Sequence, residues 1–326
     1  MAYDLEFEKP LAEIEKRILG LQKKKDRLKP DEQKHLQELE QELGTKTAEI
    51  YTNLNAWQTV QVARHKDRPH TTDYLRLIFE DFFELHGDRN FADDHAIMGG
   101  PAMLDDQRVM IIGQEKGRDL KDMQYRNVGM PRPEGYRKAG RLMKQAEKFH
   151  IPVVCLIDTS GAFVGLEDEE RGQSEAIAAN LYMMARLKTP IIAVIIGEGG
   201  SGGALGISLA DRLLMLQNSI YTVAAPEAAA SILWRDKVFA PQAAEAMRIS
   251  AKELKEAALV DDLVPEPLGG AHRNFQTTAD NLKVALLKHL AEIQSLDLET
   301  MLEQRYQKFR SIGEFGLLEK AEASLV

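Results

Sequence analysis

The chain contains a single cysteine, Cys155, among 326 residues. One thiol excludes an intramolecular disulfide and any cysteine-based zinc cluster within the chain, so a reducing, cytoplasmic setting is expected. Its place inside the apolar run "VVCLID" marks it as a small buried hydrophobe rather than a nucleophile. Positive charge is also short: 42 lysines and arginines face 51 acids, a formal net charge of -9. Attraction to nucleic acid or an anionic membrane needs cations that outnumber the acids, so neither is expected as a partner. No run approaches the roughly 18 apolar residues of a membrane span. The start "MAYDLEFEKP" is acidic where a secretory signal would be basic and then apolar. Internal repeats and low-complexity segments are missing too.

What is present divides near residue 90. In residues 1–90, Leu11, Ile14, Ile18 and Leu21 recur at three- and four-residue steps, predicting a helix that Pro30 closes. A second helix is expected from about Asp31, with Leu36, Leu43, Ile50 and Trp57 seven apart. Together they read as a helical hairpin docked on a larger body, residues 91–326. There "VMIIGQE" follows the turn-like "LDDQR" as one arm of a hairpin, and "PVVCLIDT", "PIIAVIIG" and "RLLMLQ" read as strands buried on both faces. Helical patterns at 134–149, 171–187 and about 202–210 separate them, which predicts right-handed crossovers in a layered α/β body. Further helices are expected at about 226–234, 241–258, 277–296 and 299–311.

The stretch "VIIGEGGSGGALGIS" carries six glycines in ten positions between an apolar run and a helical pattern. Gly197, Gly199 and Gly202 spell a dinucleotide fingerprint, but the turn follows at least three earlier strands and the next strand ends in amides, not an acid. Gly199 to Gly203 spell G-x-S-x-G, and Asp261 or Asp262 followed by His272 keeps the chain order of a serine hydrolase with Ser201 as nucleophile. The third reading uses the glycines themselves. Glycine inside a helix costs about 1 kcal/mol against alanine, so Gly202 and Gly203 need an offset. Close helix-to-sheet packing is one. Exposed first-turn amides that face a developing negative charge are the other.

Read together, "GEGGSGGALG", "EERGQSEAIA", "ASILW", "EAMRISAKELKE" and "PEPLGGAHRN", with the earlier "RDLKD", "GMPRPEGYRKA" and "ARHKDRPHTTDY", resemble the α subunit of the bacterial acetyl-CoA carboxylase carboxyltransferase from about residue 5 to 313. The resemblance implies a crotonase-like spiral of β-β-α units with an N-terminal helical extension. It also implies carboxyl transfer to acetyl-CoA, giving malonyl-CoA for fatty-acid synthesis, from carboxybiotin supplied by a biotin carboxyl carrier protein. The implied assembly is α2β2, with sites at the contacts with a β subunit. By motif, the amides of Gly202 and Gly203 form the oxyanion hole, while Gly161, Ala162, Phe163, Gly199, Gly200 and Ser201 contact substrate, and Ser201 becomes a spacer. The loop "DTSGAFVG" departs from the family: Ser160 and Val164 replace prolines and Phe163 replaces tyrosine. Gly140 stands where leucine is usual.

Arg126, Arg132, Arg137, Lys138, Arg141 and Lys144 concentrate positive charge around a proline-rich turn; a solvated face, a partner subunit or CoA phosphates would each account for it. His65 and His70 lack a nearby third ligand, and no metal site is expected. Glu167 to Glu170 read as an acidic complement to the next helix N-terminus. A serine hydrolase and a non-catalytic assembly subunit stand as the rival functions.

Overall fold

The computed structural model describes residues 3–23 and 28–313. Helix α1 (Lys9–Gln22) and helix α2 (Pro30–Thr52) both take proline in the first turn, where its missing N–H breaks no helical bond. They pack through the buried side chains of Ile14, Ile18 and Leu39. The link at 24–27 lies outside the described residues. The seven-residue register of α2 is not its buried stripe: Leu39, Thr47 and Tyr51 are buried instead. Trp57 belongs to the next helix, α3 (Ala56–Ala63), because Asn55 caps a new start by accepting from the Gln58 N–H. Helix α4 (Thr71–Ile78) completes the region before the sheet.

Strands β1 (Ile97–Leu104) and β2 (Gln107–Gln114) form the expected antiparallel hairpin, turned at Asp105 with φ 51°. The short α5 (Leu120–Tyr125) and the long α6 (Pro133–Phe149) lead to β3 (Val153–Thr159). Next, α7 (Leu166–Glu170) and α8 (Gln173–Met184) precede β4 (Ile191–Gly200), which runs into α9 (Ser201–Leu205). Strands β5 (Arg212–Leu216) and β6 (Ile220–Thr222) follow. After them come α10 (Pro226–Trp234), α11 (Ala240–Met247), α12 (Ala251–Glu256) and β7 (Asp262–Val264). Helices α13 (Phe275–Gln294) and α14 (Leu298–Arg310) finish the described chain. The sheet order is β1-β2-β3-β4-β5-β7, with β6 paired to the end of β4, and every pairing beyond the first hairpin is parallel.

The apolar runs of β3 and β4 are buried along their whole length because alternate residues feed two cores. Val153, Cys155 and Ile157 join Ile191, Ala193 and Ile195 under α6 and α8, whereas Val154 and Leu156 join Ile192, Val194 and Ile196 under α4 and α13. Three sequence expectations shift in detail. The helix after the glycines ends at Leu205, and the one expected at 241–258 is two helices, broken at Arg248 (φ 51°) and restarted by the Ser250–Glu253 capping box. Glu167 to Glu170 precede α8 as expected but also form a short helix of their own, α7, where Asp168 is buried and bonded to Arg132 and Arg171.

Two buried ion pairs tie the outer helices to the sheet. Arg68, just before α4, donates to the Ile196 carbonyl (2.7 Å) and to both Glu266 oxygens. Arg305 of α14 donates to both Asp211 oxygens and to the carbonyls of Met184, Leu187 and Thr189, so its whole guanidinium is satisfied.

Candidate active site

Three of the six glycines, Gly197, Gly199 and Gly200, lie in strand β4, and Gly202 and Gly203 lie in α9. Thr159 pairs with Gly199 on one side of β4 and Tyr221 pairs with it on the other. Gly200 and Gly203 must be bare because neighbouring backbone crowds them. A Cβ on Gly200 would sit 2.2 Å from the Ser160 carbonyl oxygen, and one on Gly203 would sit 2.3 Å from the Gly161 carbonyl carbon and 2.4 Å from the Ala162 nitrogen. Gly202 differs. Its nearest neighbour would be the Ile177 Cδ1 at 3.5 Å, ordinary contact, so packing does not demand a glycine there.

Ser201 makes the turn with φ 52°, a conformation few non-glycine residues adopt. Ser201, Gly202 and Gly203 are the first three residues of α9, and their N–H groups precede the helix's first i→i−4 bond. Gly203 is buried beneath the Gly161–Ala162 peptide, and its carbonyl is held by Gln114 Nε2 (2.9 Å) and the Tyr136 hydroxyl (3.2 Å). Gly202 faces a cavity of about 590 Å³ whose other walls include Ser201, Leu205, Tyr221, Val223, Met247 and Ile249. The walls are mostly apolar, so an N–H or a charge at their edge acts in a medium poorer in water than bulk.

Behind the turn lies a charge network that residue order did not reveal. Glu198, fully buried, is gripped by Arg64 of α3 through two bonds of 2.6 and 3.0 Å, and Lys116 Nζ lies 3.8 Å away. Lys116 also pairs with Asp158 at 2.6 Å, and Asp158 accepts from the Glu198 N–H. Arg64 extends the chain of charges to Glu227 at the start of α10. The negative charge of Glu198 beside the glycines is therefore paired directly with Arg64, in a network where two cations are shared among Glu198, Asp158 and Glu227.

The segments expected to contact substrate are neighbours. Gly161 closes a turn in which the Thr159 hydroxyl donates to its carbonyl (2.7 Å), and Ala162 lies against Gly203. Phe163 is held by its N–H to the Pro131 carbonyl, and Arg132 stacks 4.3 Å over its ring. Gly199 and Gly200 are buried in the strand, below the cavity surface. Leu205, Tyr221, Val223 and Met247 went unread in the sequence, since apolar residues scattered over three elements leave no motif.

Ser201 is not joined to a base. Among the described residues its hydroxyl has no hydrogen bond to a histidine or carboxylate, Asp261 pairs with Lys308, and Asp262 pairs with His289 and Lys288. His272 is buried elsewhere, stacked 3.8 Å on His65. Cys155 is buried, and burial pushes its thiol far above the usual range, which leaves it unreactive. His65 and His70 serve separate carboxylates, Asp4 and Glu115. Asp4, His65 and Asp67 place ligand-type atoms within 4.8 Å of one another, and Lys66 already sits 2.9 Å from Asp4.

The His272 ring has no hydrogen-bond partner on either nitrogen. Burial, reinforced by the facing His65 and nearby arginines, pushes it down to about 3. Above an unfolded value of about 6.5 both states are neutral; below it the unfolded chain takes a proton that the folded chain refuses. This residue therefore removes up to about 1.4 kcal/mol of stability per pH unit between about 6.5 and 3. In urea unfolding from pH 7 to 4, the stability of wild type relative to His272→Phe is expected to fall with falling pH, because only wild type carries this penalty. Parallel curves would refute the assignment.

Residues 4–313 match the family described as acetyl co-enzyme A carboxylase carboxyltransferase-like. The chain belongs to this carboxyltransferase family. It is 54% identical over 317 residues to the acetyl-coenzyme A carboxylase carboxyl transferase subunit alpha of Geobacter metallireducens, covering 96% of this chain and 98% of that one. Against the Staphylococcus aureus subunit alpha the figures are 51% over 311 residues, 95% and 99%. Solved carboxyltransferases share the fold at low identity. The transcarboxylase 12S structure superposes with TM-score 0.54 and 18% identity over 67% of this chain and 42% of that one. The β subunit of Pseudomonas aeruginosa geranyl-CoA carboxylase gives 0.55 and 15% over 81% and 48%. The expected crotonase-like α/β architecture with its helical N-terminal region is thus the one this family uses.

Proposed function

We propose that this chain is the α subunit of an acetyl-CoA carboxylase carboxyltransferase, which moves a carboxyl group from carboxybiotin on a carrier protein to acetyl-CoA, forming malonyl-CoA. The observation that carries the reading is the opening of an apolar cavity onto Gly202, the glycine that packing leaves unexplained. The donor set suits a biotin ring: peptide N–H groups beside mostly apolar walls, with no carboxylic acid, histidine or lysine among the lining residues. Carboxybiotin, when held there, supplies the carboxyl group and carries negative charge on its ureido oxygen as that group departs. Gly202 donates its N–H toward that charge, and Gly203 supports it from the next position in the helix turn. Leu205, Val223, Met247 and Ile249 exclude water, which strengthens each hydrogen bond made inside. Arg64 pairs with Glu198 and so reduces the negative charge behind the turn.

Helix α10 begins just past the cavity-lining Val223 and leaves Ile232 (76%), Leu233 (64%) and, in the following turn, Val238 (65%) exposed. An apolar ridge of this kind beside a site suits a permanent partner, here a β subunit that brings acetyl-CoA.

The clean test removes the donor without adding bulk. With glycolic acid at position 202, an ester oxygen replaces the N–H, and turnover of the assembled complex is expected to fall 10²–10³-fold. Ser201→Ala is expected to stay within a few-fold of wild type. Full turnover of the ester variant would remove the oxyanion role, and loss of all activity in Ser201→Ala would restore the hydrolase.

A further inference from the structure

Gly202 and Gly203 are the residues of the turn with the most intrinsic backbone freedom, since neither has a Cβ to restrict φ and ψ. Stabilising a developing charge needs donors already fixed in place. The helix itself supplies little of that restraint. The Gly206 N–H bonds to the Gly202 carbonyl at 3.0 Å, but the Ile207 N–H, which a continuing α-helix would give to Gly203, goes to the Ala204 carbonyl at 3.2 Å. The Gly203 carbonyl is left to side chains, and two buried ones take it: Gln114 Nε2 at 2.9 Å and the Tyr136 hydroxyl at 3.2 Å.

Gln114 is wholly buried at the end of β2, and both ends of its amide are engaged. Its Oε1 accepts from the Asp158 N–H at 3.1 Å, and its backbone carbonyl accepts from the Thr71 hydroxyl at 2.6 Å. These contacts fix which way the amide points, because turning it over would set oxygen against the Gly203 carbonyl and N–H against the Asp158 N–H. The side chain acts where the sheet gives out. The β2–β3 ladder stops at Gly113↔Leu156, and the register between β3 and β4 shifts between Ile157 and Thr159. Asp158 sits in that gap, where its Oδ1 takes the Glu198 N–H (3.0 Å) and Lys116 Nζ (2.6 Å). Gln114 thus ties the first turn of α9 to the ends of three strands. Tyr136 adds a bond from α6, and burial pushes its hydroxyl well above the usual phenol range, so it stays a donor.

We infer that Gln114, assisted by Tyr136, is a positioning residue for the reaction: by holding the Gly203 carbonyl it sets the plane of the glycine turn, and with it the direction of the N–H groups at the cavity. The inference rests on the carboxyl transfer proposed for Gly202. Gln114 lies behind the turn, not among the residues that line the cavity, so its effect passes through backbone. With no Cβ on Gly203, its ψ follows what its carbonyl bonds, and the peptide carrying its N–H turns with it. A role confined to hydrogen bonding in the core would cost stability and leave the turnover of each assembled site unchanged.

The test is steady-state malonyl-CoA formation by the assembled complex, counted per assembled site. Gln114→Met keeps the length of the side chain and removes its polar atoms, and kcat is expected to fall about 10–100-fold. KM for acetyl-CoA is expected to change less than about twofold, because the donors of the turn act on charge that develops only as the carboxyl group departs. Tyr136→Phe deletes one hydroxyl and keeps the packing. It is expected to lower kcat about three- to tenfold, and it decides the matter should Gln114→Met not assemble. In a complex that already carries the ester at position 202, Gln114→Met is expected to cost less than about threefold more, since both changes act on one device. Wild-type kcat in both variants, a loss confined to melting temperature, or an equal loss on the ester background would overturn this inference alone. Full turnover of the ester variant would remove the oxyanion role and this inference with it.

Discussion

Gly203→Ala is expected to lower turnover of the assembled enzyme by at least about 100-fold, the scale on which an ångström of misplacement acts. The reason is geometric. The new methyl would lie 2.3–2.4 Å from backbone atoms of Gly161 and Ala162, and backbone cannot rotate aside as a flexible side-chain end would. The loop must move by about an ångström to reach ordinary contact, carrying Phe163 and the start of α9 with it, at an overpacking cost of about 1–3 kcal/mol. Gly202→Ala is the matched control, because its methyl meets only Ile177 Cδ1 at 3.5 Å, and its stability is expected to stay within about 0.5 kcal/mol of wild type. Steady-state malonyl-CoA formation and thermal melts of both variants decide the matter. Wild-type turnover in Gly203→Ala would mean that the 161–163 loop has no part in positioning the site.

The second large effect concerns stability alone. Arg68→Met is expected to cost about 3–5 kcal/mol in urea unfolding, because Glu266 stays behind as an uncompensated buried charge. Arg68 and Glu266 are both almost wholly buried, joined at 2.5 and 3.2 Å, and Glu266 also accepts from the N–H groups of Asn218 and Ala271. The Arg68 side chain and the backbone N–H groups of Asn218 and Ala271 converge on this carboxylate. Replacing both partners, Arg68→Met with Glu266→Leu, is expected to recover part of the loss, since no charge then remains unpaired. A single variant within 1 kcal/mol of wild type would show that water reaches Glu266.

The body of the fold was legible because its strands state their environment. "PVVCLIDT" and "PIIAVIIG" are apolar at both parities, which only a strand covered on two faces requires, and "LDDQR" before "VMIIGQE" marked the hairpin. Helix limits failed where a cap overrode a repeat: Asn55 ended the register that Trp57 continued, and Ser250 divided an unbroken helical pattern. At the candidate site, the glycine run announced a close approach of backbone but not which glycines serve packing. That distinction depends on Ser160 and Gly161, some 40 residues earlier. The offset of Glu198 was invisible for the same reason, since Arg64 lies 134 residues away in sequence. The basic cluster shows the reverse error, for six adjacent cations looked like one feature. Arg126, Arg132 and Lys138 pair with Asp122, Asp168 and Asp93, whereas Arg137, Arg141 and Lys144 line a cavity between α6 and α8.

The ridge at Ile232, Leu233 and Val238 governs how the molecule must be handled. Produced without its companion, the polypeptide presents greasy side chains to water and will tend to precipitate or stick to chromatography resin. Joint production of both subunits from one transcript is the practical remedy, and detergent-free solubility then becomes a direct readout of correct pairing.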